Sequence, residues 1–161
     1  MFYVSSKSKT MKRTIPYAIL TGGALIAYFL LMKLFGLETN FFLRIFNLFI
    51  MIGGIFLLYR NTFIRDGREN EQIGYVQGLL MGLQLTVISV AIFIVFLGIY
   101  IRFFDPGFME ILESTGLWAT SGLSPSAIVL GIMMEGVASG LIVSFTLMQY
   151  FKAAIPSRDT E

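Results

Sequence analysis

The chain has no cysteine and no histidine among its 161 residues. Without cysteine there are no disulfides, thiolate metal sites or thiol nucleophiles. Without histidine the commonest metal ligand and the usual general base at neutral pH are missing. Charge is scarce as well: charged residues make up 14% of the chain, where soluble domains carry about a quarter. A formal net charge of +2, with no basic stripe interleaved with aromatics, leaves no footprint for a nucleic-acid partner. No phosphate loop or nucleophile motif occurs. These absences argue against an enzyme, a metal centre and a bound cofactor.

Apolar sequence is what the chain has in excess. Hydrophobic residues make up 56%, and the charges fall in short stretches between long apolar runs, which leaves those runs no polar face for water. Lipid is the solvent that fits. A bilayer core of about 30 Å needs roughly 20 helical residues to cross it, and four segments meet that length. The first runs from Ile15 to Leu37, with Pro16 expected in the first helical turn and Lys33 near the far end, where it can snorkel. The second, Phe41 to Tyr59, has Arg44 one turn inside its start, placed at the headgroups, and Arg60 at its exit. The third, Ile73 to Phe104, is longer than a perpendicular span requires and should project at one end. The fourth, Ser124 to Phe151, opens on Ser124-Pro125 as N-cap and first helical residue, and ends before Lys152 and Pro156.

The predicted fold is therefore all-α, a single domain over residues 1–161. It has four transmembrane helices in an antiparallel bundle, with consecutive helices expected to be neighbours because their connections are short. Between the third and fourth spans, Asp105-Pro106 resembles a helix start. Phe108, Ile111, Leu112 and Thr115 recur at helical spacing opposite Glu110, Glu113 and Ser114, which predicts a short outer amphipathic helix with Trp118 as an interfacial anchor. Lys7, Lys9, Lys12 and Arg13 before the first apolar run imitate a secretory signal. That run is too long for one, and no small-residue cleavage pattern follows Leu34-Phe35-Gly36-Leu37, so it reads as an uncleaved span.

Basic residues set the expected orientation. With the N-terminus inside, nine lie on that side (Lys7, Lys9, Lys12, Arg13, Arg60, Arg65, Arg68, Lys152, Arg158) against three outside (Lys33, Arg44, Arg102). Short loops rich in Lys and Arg stay in the cytoplasm, so both termini are placed there. The mixed-charge stretch Arg65 to Glu71 reads as a solvated connector, or as a contact for anionic lipid or a cytoplasmic partner.

Glu135 is the most informative polar residue. It lies about 15 Å into the fourth span at about 1.5 Å per residue, near the midplane. A charged carboxylate there costs roughly 2.5 to 3.5 kcal/mol or more on insertion scales, so it should face the bundle interior. Gln84 lies at a similar depth in the third span and could hydrogen-bond to it, and Gln77 sits two turns nearer the cytoplasm on the same stripe. Glu135, Gln84 and Gln77 thus form a candidate intramembrane polar site. Its two readings are a proton or cation relay and an interhelical hydrogen bond that fixes packing. Gly78 with Gly82, and Gly136 with Gly140, each form a G-x-x-x-G, and these four glycines are the candidate helix-packing residues.

The charged loop leading into Gly74-Tyr75-Val76-Gln77-Gly78, and the turn Phe104-Asp105-Pro106-Gly107-Phe108-Met109-Glu110 after a long third helix, resemble the small four-helix membrane proteins of Bacteroidota catalogued as a domain of unknown function. The resemblance covers nearly the whole chain. One departure is that family members often carry a longer, more charged outer segment after the turn, whereas here a brief stretch with Gly, Ser and Trp leads to the fourth span. The resemblance implies a four-span fold in a bacterial inner membrane, and it supplies neither an activity nor catalytic residues. The expectation is a noncatalytic bundle in the lipid bilayer that assembles with itself, as a homo-oligomer, or with other membrane proteins. The alternative is a small transporter or proton-coupled channel using Glu135.

Overall fold

The computed structural model describes residues 2–37, 45–65, 74–110 and 125–151. These form α1 (Phe2–Leu34), α2 (Ile45–Tyr59), α3 (Tyr75–Phe103) and α4 (Pro125–Phe151), with no strand among the described residues. Each helix holds a stretch long and apolar enough to cross a bilayer: Met11–Leu34, Ile45–Ile64, Tyr75–Phe103 and Ser126–Phe151. The chain is a multi-pass membrane protein, with four candidate spans among the described residues. In hydrocarbon a helix is the element that satisfies every backbone N–H and C=O within itself, which is why apolar length alone dictates these elements.

Two helix boundaries differ from expectation. Pro16 does not open α1; it lies inside a helix that already runs from Phe2. Proline removes the bond to the carbonyl four residues back, that of Lys12, and its ring crowds that carbonyl. Lys12 is exposed in the first turns of the apolar stretch, where water or headgroups can take over that carbonyl. Likewise the helical path does not stop at Tyr59 but widens into a π-helical turn, Arg60–Arg65. That turn keeps Thr62 and Phe63 buried and brings the Asn61 amide to donate to the Tyr17 hydroxyl.

The helices form a ring in which α1 adjoins α2 and α3, α4 adjoins the same two, and α2 and α3 face each other across the diagonal. Consecutive helices reverse direction, but α2 and α3 are not the close neighbours that short connections predict. At about 3.3 Å per residue the link from Arg65 to Tyr75 is long enough to cross one end of a bundle. Meanwhile α1 finds a closer fit on α3, where Gly22 sits against Ile92 and Ser89 Oγ donates to the Ala18 carbonyl at 2.9 Å. Neighbours α1 and α3 therefore run parallel. Their far ends meet at Lys33 and Asp105, while at the opposite end Gln149 Nε2 of α4 donates to the Tyr75 hydroxyl of α3 at 2.7 Å.

Each end is packed with aromatics. Phe29 makes edge-to-face contacts with Phe93, Phe96, Tyr100 and Phe108 at the Lys33 end. Tyr59, Phe63 and Phe151 cluster at the other. Between them the buried hydroxyls of Thr21, Thr86 and Ser144 donate to carbonyls four residues back in their own helices, at 2.8, 3.0 and 2.7 Å. They are polar groups that impose no demand on a partner helix.

The start of the predicted outer helix falls within the described residues, and Phe108 to Glu110 is helical. Its remainder, Trp118, the Ser124 cap, Arg44, the loop Asp66 to Gln72 and the tail with Lys152 and Arg158 lie outside the described residues.

Candidate functional site

Two of the seven residues singled out by sequence, Glu135 and Gly136, line one cavity. Glu135 is half-buried and lines a cavity of about 240 Å³, together with Gly136 and Ser139 of its own helix. The rest of the wall comes from Leu25 of α1, Asn47 and Met51 of α2, and Val90 and Phe93 of α3, among others. All four helices therefore contribute. Leu25, Phe93 and Glu135 each lie roughly 13 to 15 Å from the Lys33 end of their helices, at about 1.5 Å per residue. The space far exceeds the roughly 10 to 15 Å³ that one water occupies.

The polar character of the wall is one-sided. Ser139 Oγ donates to the Glu135 carbonyl at 2.6 Å and to the Gly136 carbonyl at 3.2 Å, so its proton is held within α4 and its lone pairs are what it offers the cavity. Glu135 supplies carboxylate oxygens and Asn47 an amide that can donate or accept. Among the described residues no Lys or Arg lines the space. Carboxylate, hydroxyl and amide oxygens on one wall suit a cation or a hydrogen-bond donor. Asn47 was missed at the sequence level, because an Asn near the start of a span reads as interfacial; a lone amide in the apolar run Phe41 to Tyr59 was the available signal.

Gln84 does not join this site. It is absent from the cavity wall, and its Oε1 is buried with no hydrogen-bond partner among the described residues. The reasons are depth and angle. Gly136 meets Val90 and Gly140 meets Thr86, so Gln84 stands roughly 10 Å along α3 from the level of Glu135 rather than beside it. The α3 face that meets α4 is Gly78, Gly82, Thr86 and Val90, and Gln84 stands two residues from both Gly82 and Thr86, roughly 200° around the helix at about 100° per residue. Gln77 shares the Gln84 stripe and is also outside the cavity wall.

The four glycines lie on the α3–α4 seam. A Cβ on Gly82 would fall on the Tyr59 hydroxyl and Ser144 Oγ, and one on Gly140 would fall on Thr86. On Gly78 it would meet the end of Met148 at 2.6 Å, and on Gly136 it would meet Val90 at 3.0 Å. Gly136 thus forms part of the cavity wall and part of the seam, so close approach of the two backbones sets the position of Glu135. Among the described residues there is no group of three or more Asp, Glu, His or Cys that could hold a metal ion.

No curated protein and no solved structure matches the chain. A family model does, across residues 16–153, and the chain belongs to that family, described as protein of unknown function (DUF4199).

Proposed function

We propose that this is a noncatalytic protein of a bacterial inner membrane, with both termini cytoplasmic, in which Glu135 takes up and releases a proton or small cation from the intramembrane cavity. It would act as a small transporter or a proton-coupled channel. One observation carries this reading: a carboxylate about 15 Å down its helix borders a space of about 240 Å³ to which Ser139 and Asn47 also turn polar groups. The test is flux of protons, Na⁺ and K⁺ into proteoliposomes. Flux that drops at least tenfold in Glu135→Gln supports the reading, and wild-type liposomes no leakier than empty ones overturn it. Accessibility labelling of the loop around Asp66 and the turn at Asp105 checks the orientation, which requires them on opposite faces.

Assembly with a second copy or with other membrane proteins is the second reading. Gly78, Gly82, Gly136 and Gly140 are occupied within the chain, so an intermolecular contact would use other bare backbone. Gly23, Gly53 and Gly98 are exposed with no neighbour within 4 Å, which favours such contacts on the lipid-facing side. A strictly monomeric mass in mild detergent, with no copurifying protein, counts against it.

A further inference from the structure

The head of α1 is basic without interruption. Lys7, Lys9, Lys12 and Arg13 fall within it, and the chain has no Asp or Glu before Glu38. Because the helix is continuous through Pro16, the register from Lys12 downward is fixed. Thr14, Ala18, Thr21 and Leu25 are buried and mark the bundle-facing side. Lys12, Pro16, Ile19, Leu20, Gly23 and Ala27 are exposed on the opposite side, with Ile19 at 57% and Leu20 at 62%. Lys9 lies one helical turn before Lys12. Lys12 thus stands directly above a helix face that no described part of the chain covers.

We infer that this face binds an anionic glycerophospholipid, its phosphate at the level of Lys12 and an acyl chain lying along α1 below it. Charge complementarity identifies the occupant. Basic residues at a membrane boundary attract anionic headgroups, and the absence of any carboxylate from α1 means that nothing on the helix offsets them. Geometry supplies the second half. Lys12 sits in the first turn of the apolar stretch Met11–Leu34, which is headgroup level. Below it Pro16, Gly23 and Ala27 keep the surface low between the flanking Ile19 and Leu20, so a straight hydrocarbon chain can lie close to the backbone. The positive charge also serves topology during insertion, but in the finished protein it remains beside the headgroups.

The full chain, reconstituted in phosphatidylcholine with trace spin-labelled phosphatidylglycerol or phosphatidylcholine, reports the motionally restricted fraction of each lipid. Wild type should prefer phosphatidylglycerol about fivefold or more, as expected for one basic residue near the surface. Lys12→Gln should lower that preference severalfold and Lys9→Gln with Lys12→Gln should abolish it. Lys33→Gln, at the other end of α1, should leave it intact, and unchanged circular dichroism shows that each variant is folded. A wild-type preference under twofold overturns the inference, as does a preference that survives the double substitution. Displacement of the labelled lipid by millimolar inorganic phosphate would instead identify a site for free phosphate and overturn it too.

Discussion

Lys33 Nζ of α1 stands 2.7 Å from Asp105 Oδ2 in the turn that follows α3. The ammonium also lies over the Phe108 ring, 5.2 Å from its centroid. Two helices that run parallel, and so share no hairpin, are joined at their ends by this pair. The turn is built for it: Phe108 N–H and Glu110 N–H donate to the carbonyls of Asp105 and Gly107 at 3.1 Å each. That folds the chain back and seats Phe108, 3% exposed, on Phe29 and Tyr100.

The Asp105 carboxyl is held below its ordinary value of 3.8, chiefly by its hydrogen bond with Lys33. A lowered value means that the fold favours the ionised form, so the stabilisation is present at neutral pH and fades as pH falls through the ordinary carboxylate range towards the lowered value. Both side chains are partly exposed, 25% and 29%, and solvent-screened pairs contribute little. Asp105→Asn should therefore lower the thermal midpoint in detergent slightly at neutral pH, and the gap from wild type should close on acidification. A gap that widens in acid would show that the pair does not titrate in this way.

Phe108→Ala should do more damage than Asp105→Asn. The ring is buried among Phe29, Tyr100 and the Lys33 ammonium, and its loss empties a packed site rather than a screened one. Buried Phe→Ala changes cost roughly 3 to 5 kcal/mol in water-soluble cores. Here the lower end is expected, because a lipid surround weakens the transfer contribution while leaving the packing loss. Denaturant titration in mixed micelles gives the comparison, and equal effects of the two substitutions would place the strength of the turn in its charge.

The glycines should separate into classes by what stands beside them. Gly54→Ala meets Thr21, whose hydroxyl is already bound to the Tyr17 carbonyl, and Gly140→Ala meets Thr86, bound to the Gly82 carbonyl. A β-branched side chain close to its own backbone cannot swing aside, so each change should destabilise by about 1 to 3 kcal/mol. Gly78→Ala meets the flexible end of Met148 and the edge of Phe63, and should cost less. Gly23→Ala meets nothing and should be neutral or slightly favourable through helix propensity. A flat response across the four, measured as thermal midpoints, would mean that the helices slide apart freely at these crossings.

What the sequence made legible follows from which physical quantity each feature depends on. Four spans need only apolar length, and that was plain from Ile15 to Phe151. Helix adjacency depends on which side of each helix fits which neighbour, and helices that are apolar all round carry no stripe to reveal it, so the α1–α3 pairing of Gly22 with Ile92 and Ser89 with Ala18 stayed hidden. Depth is less readable, because counting inward from different ends set Glu135 and Gln84 at one level, whereas the contacts of Gly136 with Val90 and of Gly140 with Thr86 set them roughly 10 Å apart. Their angular positions were not readable until α4 had a face of α3 to meet, and that face is Gly82 and Thr86 rather than Gln84. Asn47 joins Glu135 on one wall through the contact of α2 with α4, which the apolar run around it does not announce.

Gln84 itself provides a test that needs no assumption about function. Its Oε1 is buried without a partner among the described residues, and an unpaired acceptor in an apolar surround carries a penalty of about 1 to 3 kcal/mol. Methionine has nearly the same length and no acceptor of comparable strength. Gln84→Met should therefore leave stability unchanged or raise it, by an amount towards the lower end of that range, since polar groups in membrane proteins gain and lose less than in water. Denaturation in mixed micelles reads it directly. A loss above about 1 kcal/mol would show that the amide holds a bound water or another donor. Because Gln84 lies off the cavity wall, the same variant should leave any Glu135-dependent flux at the wild-type rate. A variant that keeps its stability and loses flux would instead place Gln84 and Glu135 on one pathway.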